Sequence, residues 1–107
     1  MTCENRKCGN DKSEKYIEAT LVKAVRKAGG MCPKFVSPGT DGVPDRIILL
    51  PGGRIAFAEL KAPGRKMRPL QVKRKGQLEA LGFRVYCIDR PEQINTAIAE
   101  VIGGDAK

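Results

Sequence analysis

Three side chains in this sequence have the types and spacing to do chemistry together: Asp45, Glu59 and Lys61. Asp45 follows Pro44 and opens an apolar run, Arg46-Ile47-Ile48-Leu49-Leu50. A Pro51-Gly52-Gly53 turn then leads into a second run, Ile55-Ala56-Phe57-Ala58-Glu59-Leu60-Lys61. Both runs read as strands, and a turn this short makes them an antiparallel hairpin. Side chains alternate along a strand, so Glu59 and Lys61 share a face, with about 6 to 7 Å between their Cα atoms. Closing the hairpin at its glycines carries Asp45, at the far end of the first strand, beside them. Two carboxylates and an ammonium are costly to bury as packing. They suit a hard divalent cation that binds phosphate, and Mg²⁺, which keeps several waters, needs little more than two carboxylates and a strand carbonyl. Lys61 is either part of that chemistry, a solvated lysine, or the ion-pair partner of Glu59.

The elements that must position these groups can be read along the chain. Asp11 or Ser13 can cap a helix running to about Ala28, and with Asp11 as the cap, Glu14 completes a capping box. Ile17, Leu21, Ala24, Val25 and Ala28 recur at helical spacing as its buried stripe, and Gly29-Gly30 ends it. Glu14 and Glu18 lie one turn apart on a shared face, with Glu18 bordering the stripe. Cys32 to Val36 is predicted as a short strand, and Ser37 to Gly42 as the loop that delivers Pro44-Asp45. After the hairpin, residues 62–68 form a basic loop around Pro63-Gly64. Pro69 starts a second helix ending near Leu81, with Gly82 as its cap. Gly76 inside that helix costs roughly 1 kcal/mol relative to Ala, so packing must hold it. Gln71, in its first turn, shares a face with Arg74, Lys75 and Leu78. Phe83 to Asp89 is a strand, and Pro91 starts a final helix reaching about Ile102. The order α-β-β-β-α-β-α predicts an α/β fold with one sheet. Residues 1–12 read as a mobile tail and 13–107 as a single domain.

Composition narrows the chemistry. The 107 residues carry twenty Lys and Arg against twelve Asp and Glu, a net charge of +8. That balance favours polyanionic partners over a membrane interior. The charge is also uneven: Lys61, Arg65, Lys66, Arg68, Lys73, Arg74 and Lys75 follow one another with no acidic residue between. This tract comes directly after the candidate carboxylate site, where a phosphate backbone would need it. With no histidine in the chain, Ser-His-Asp and Cys-His nucleophiles, His-ligated zinc and a histidine base are excluded. A hydrolase built from these residues must activate water with carboxylates, lysine and metal. Cys3 and Cys8 have no second close pair to complete a zinc site, and Cys32 and Cys87 read as small buried hydrophobes. No signal peptide, lipidation motif or long apolar run is present, so the expected compartment is a reducing cytoplasm.

Pro-Asp, thirteen residues, then Glu-Leu-Lys resembles the PD-(D/E)xK nuclease superfamily. More of the chain is similar to one branch, the VRR-NUC family (virus-type replication-repair nuclease). The matching segments are Gly42-Val43-Pro44-Asp45-Arg46, Ala58-Glu59-Leu60-Lys61-Ala62, Arg68-Pro69-Leu70-Gln71 and Leu81-Gly82-Phe83-Arg84-Val85-Tyr86. The resemblance spans about Ser13 to Asn95. It implies a restriction-endonuclease-like core, a mixed sheet flanked by helices. It implies Asp45, Glu59 and the Leu60 carbonyl as ligands of Mg²⁺ or Mn²⁺, with Lys61 polarising the attacking water and the phosphate. It places the family's helix carboxylate at Glu18, with Glu14 the runner-up, and makes Gln71 an active-site member. Arg65, Lys66, Arg68, Arg74 and Lys75 become phosphate contacts that position DNA without reading bases.

The expectation is therefore a Mg²⁺- or Mn²⁺-dependent DNA nuclease. Few aromatics argue against base stacking along a single strand, and no insertion is long enough to read the major groove. The resemblance implies branched, flapped or four-way-junction DNA as substrate, a homodimer as the active form, and the cytoplasm of a bacterial cell or phage-infected host as its place. A non-catalytic nucleic-acid-binding module on the same fold is the main alternative. The complete Asp45, Glu59 and Lys61 set speaks against it. A zinc-bearing interaction protein using Cys3 and Cys8 is a third reading.

Overall fold

The computed structural model describes residues 13–103. The expected tail, the Asp11 cap and the Cys3–Cys8 zinc reading lie outside them. The first helix, α1, spans Glu14–Lys27 and is capped by Ser13, whose Oγ accepts from the Tyr16 N–H at 3.1 Å. Glu14 in its first turn and Arg26 and Lys27 in its last complement the helix dipole. Ile17, Leu21 and Val25 are fully buried, as the helical spacing predicts. Truncating one of them, such as Leu21→Ala, should cost about 2–5 kcal/mol.

The chain leaves α1 through Gly30, where a Cβ would stand 2.0 Å from the Leu49 carbonyl oxygen. Glycine lets the next residues settle directly against β1, Arg46–Leu50. The strand expected over Cys32–Val36 is reduced to two isolated bridges, Met31 with Leu49 and Lys34 with Arg46. Met31 and Leu49 exchange both backbone hydrogen bonds at 2.9 Å, and Phe35 donates to the Asp45 carbonyl. Between them, the Pro33 carbonyl accepts from Ile47, but proline has no N–H to return, which interrupts the ladder.

β2, Arg54–Leu60, pairs antiparallel with β1 in the register Arg46 opposite Ala58. The Pro51-Gly52-Gly53 turn joins them as expected. α2 follows at Pro69–Ala80. β3, Arg84–Ile88, then pairs parallel with β2, giving a mixed sheet of order β1-β2-β3 among the described residues. α3, Glu92–Gly103, closes the described chain. This is the expected α/β architecture.

Side-chain alternation gives the sheet two different faces. Ile48, Leu50, Ala56, Ala58, Leu60 and Ile88 form one core with Ile17, Leu21 and Val25 of α1 and Ile94, Ile98 and Val101 of α3. Two alanines in the central strand leave room for both helices to approach it. The other face carries Phe57 between Phe35 and Phe83, with ring centroids 5.5 and 5.6 Å away. Glu59, two residues on from Phe57, lies on that second face at the end where α2 begins. No described helix is long and apolar enough to cross a membrane.

Candidate active site

The register that pairs Arg46 with Ala58 sets Asp45 opposite Glu59, so hairpin geometry alone brings the carboxylates together. Asp45 lies just before β1, where the ladder has ended, and its Oδ2 accepts from the Leu60 N–H at 2.9 Å. A residue's N–H and C=O leave a strand on the same side, so the Leu60 carbonyl also faces the Asp45 end of the hairpin. Lys61 Nζ stands 3.4 Å from Glu59 Oε2 with its side chain only 15% exposed. It is a half-buried partner of Glu59, not a solvated lysine.

Gln71 is buried in the first turn of α2 and is held at both ends. Its Oε1 accepts from the Arg68 N–H at 2.8 Å, and its Nε2 donates to Glu59 Oε2. The same amide caps α2, because Arg68 is the residue preceding the helix. Pro69 at the first helical position spares an N–H that would have no helical partner.

Glu59 is 1% exposed, and its Oε1 has no hydrogen-bond partner among the described residues. Burial first, then the neighbouring Asp45 charge, push its carboxyl from the ordinary 4.5 up to about 7, while Lys61 pulls the other way. A buried carboxylate oxygen without a donor is expensive, and a cation is the partner that would satisfy it. The oxygens that could hold one are those of Asp45 and Glu59 and the Leu60 carbonyl. An all-oxygen set suits Mg²⁺ or Mn²⁺. Among the described residues no three His, Cys, Asp or Glu side chains gather closely enough to form a metal cluster by themselves, so water would complete the shell.

These groups line a cleft of about 360 Å³ whose rim carries Arg65, Lys66, Arg68 and Glu14. Three of the residues expected to contact phosphate thus line the cleft. Two do not. Arg74 donates from Nε to the Asp41 carbonyl at 2.7 Å and from Nη1 to Gln77 Oε1 at 2.9 Å, and Lys75 pairs with Glu79 at 2.7 Å. Glu18 also departs from expectation. It receives Arg46 Nε at 2.9 Å, while Arg46 Nη1 donates to the Cys32 carbonyl, and it does not line the cleft. The helix carboxylate at the cleft is Glu14, the runner-up in the sequence. The two carboxylates are only about 40° apart around the helix, so pairing separates them: Glu14, in the first turn, reaches the cleft, whereas Glu18, one turn further on, is taken by Arg46 of β1.

A larger groove of about 620 Å³ runs along β3 and α3, but none of the expected site residues lines it. Tyr86 crosses it to Glu100, its hydroxyl donating to Oε1 at 3.0 Å. Burial pushes the Cys32 thiol up to about 11, with Arg46 opposing the shift, so it packs as the sequence predicts and is no nucleophile.

No family model matches the chain. A protein of Acyrthosiphon pisum secondary endosymbiont phage 1, named "Putative nuclease p44", is 53% identical over 76 residues, which are 71% of this chain and 82% of that protein. A solved structure described as a VRR_NUC domain superposes with a TM-score of 0.77 at 25% identity. The match covers 80% of this chain and 94% of that one.

Proposed function

The chain belongs to the VRR-NUC family of nucleases, and from that premise we propose that it hydrolyses phosphodiester bonds of DNA with Mg²⁺ or Mn²⁺ bound between Asp45 and Glu59. The observation that carries this reading is the buried Glu59 Oε1, unpartnered among the described residues, in a basic-rimmed cleft that Asp45 also lines. Such an oxygen is a standing cost to the protein unless a cation answers it.

The bound cation supplies Lewis-acid chemistry, activating water near neutral pH and offsetting charge on the phosphate. The chain's own groups do the rest. Asp45 and Glu59 fix the donor oxygens, Asp45 through the Leu60 N–H and Glu59 through Gln71. Lys61 brings a positive charge to Glu59's side of the cleft, where negative charge grows on the phosphate during attack. In a half-buried site that charge is poorly screened and acts mostly on the transition state. Arg65, Lys66 and Arg68 hold the backbone of the substrate at the rim. Glu14 lines the same cleft, where its carboxylate would be available to take up a proton.

The substrate we propose is branched, flapped or four-way-junction DNA, met in the cytoplasm of a bacterial cell or phage-infected host. No described element offers a base-reading insertion, and contacts from loop arginines and lysines report backbone shape. We propose a homodimer as the active form. Met31, Val36, Ile55 and Leu81 leave exposed apolar surface that a second copy would cover, and a two-fold pair supplies the two cuts that a junction needs. The test is a cleavage panel of duplex, single strand, flap and four-way junction, each with Mg²⁺, Mn²⁺ or EDTA, with light scattering of the protein alone and with junction. Cation-dependent cleavage of branched substrates by a dimer is expected. Equal cleavage of all four, or a monomer throughout, would contradict the substrate or the assembly.

A further inference from the structure

We propose that Arg74 is a positioning residue for the carboxylate pair: with Leu70 it clamps the loop delivering Asp45 onto the helix that carries Gln71. The inference rests on the reading of Asp45 and Glu59 as a cation site. Gly42, three residues before Asp45, has φ of 84°, and a Cβ there would stand 2.8 Å from Leu70 Cγ and 2.9 Å from the Leu70 carbonyl oxygen. Both the conformation and the space therefore demand glycine. The loop backbone lies directly on the first turn of α2. One residue earlier, the Asp41 carbonyl accepts from Arg74 Nε at 2.7 Å, and the guanidinium is held from its other side by Gln77 Oε1.

α2 is thereby fastened to both carboxylate-bearing segments. It reaches β2 through Gln71 and Glu59, and it reaches the segment leading into β1 through Leu70 and Arg74. Asp45 lies outside the regular ladder, so its place depends on the Leu60 N–H, on Phe35 donating to its carbonyl at 2.9 Å, and on this loop. Residues 37–44 hold no strand or helix, and backbone left untied there would carry the entropy of a free loop. A metal or catalytic group needs its ligands within about 0.5 Å of the working geometry. A clamp one helical turn from Gln71 meets that need and accounts for an arginine turned onto backbone instead of towards DNA.

The experiment compares wild type with Arg74→Ala and Arg74→Lys. Mn²⁺ binding is read from the concentration dependence of thermal stabilisation without DNA, and DNA affinity is read against salt in EDTA. Both variants should need about tenfold more Mn²⁺ for half-maximal stabilisation, in the range seen when groups supporting metal ligands are removed. Both should keep the wild-type slope of log affinity against log salt. Lysine should not rescue, because one ammonium cannot reproduce the fork between the Asp41 carbonyl and Gln77. Gly42→Ala should show the same Mn²⁺ shift more strongly, and if it does not fold, the Arg74 pair decides. A wild-type Mn²⁺ midpoint in Arg74→Ala, with the salt slope reduced by about one, would make Arg74 a phosphate contact and overturn the inference alone. A wild-type protein indifferent to Mn²⁺ would remove the cation site beneath it.

Discussion

Glu59→Gln should make the metal-free protein more stable at alkaline pH while removing its function. The folded-state carboxyl of Glu59 titrates at about 7 instead of 4.5, chiefly because it is buried. A carboxyl raised in this way favours folding most below the unfolded value, and that contribution is lost as pH rises through the folded one. Roughly 2.5 pH units at 1.36 kcal/mol each gives about 3 kcal/mol, most of it lost between pH 5 and 8. Glutamine keeps the shape and cannot ionise, so it escapes the loss. The assay is thermal or urea unfolding of both proteins in EDTA across that range. Near pH 5 the two should be similar. At pH 8 the variant should lead by up to about 3 kcal/mol, which for a domain of this size is on the order of 10 °C in Tm. Added Mg²⁺ or Mn²⁺ should then stabilise only the wild type at pH 8, by mass action on the folded state. Stability curves of the two proteins that run parallel with pH would overturn this prediction, because Glu59 would then ionise without cost.

Lys61→Ala should lower single-turnover cleavage by about a hundredfold or more with little change in DNA affinity, since one donor aimed at developing charge is worth that much; unchanged rates at saturating enzyme would reduce Lys61 to a partner of Glu59. Replacing Arg65, Lys66 and Arg68 with Ala should flatten the dependence of log affinity on log salt, by roughly one for each phosphate no longer neutralised. An unchanged slope would put the DNA elsewhere. Gly76→Ala should raise stability by about 0.5–1 kcal/mol without affecting cleavage, because a Cβ there meets nothing within 4 Å and the helix gains backbone propensity; a lower Tm would contradict that packing.

Much of the site was legible because it depends on short-range geometry. A period-two pattern on each side of a glycine turn fixes a hairpin register, and the register alone sets Asp45 opposite Glu59. Gln71 was legible through the segment Arg68-Pro69-Leu70-Gln71, whose proline also starts the helix. What the sequence hid depends on long-range pairing. Glu14 and Glu18 share a helix face, and their roles separate only once Arg46 of β1 takes Glu18 and the cap falls at Ser13. Arg74 looks like any other member of a basic tract until the loop at Asp41 lies across it. The strand expected over Cys32–Val36 is present as pairing but not as a continuous ladder, because Pro33 removes one donor in the middle. The signal for that was in the sequence, since an interior proline demotes a strand to an interrupted edge.

The proposed function requires that Asp45 and Glu59 hold a divalent cation without which DNA is not cleaved. Single-turnover cleavage of a labelled four-way junction measures that requirement, with wild type, Asp45→Asn and Glu59→Gln in Mg²⁺, Mn²⁺ and EDTA and binding followed in parallel. The wild type should cleave with either cation and not in EDTA. Neither variant should cleave, while affinity for DNA is retained or slightly increased as carboxylate–phosphate repulsion is relieved. Full activity in both variants, or undiminished wild-type cleavage in EDTA, would contradict the cation site.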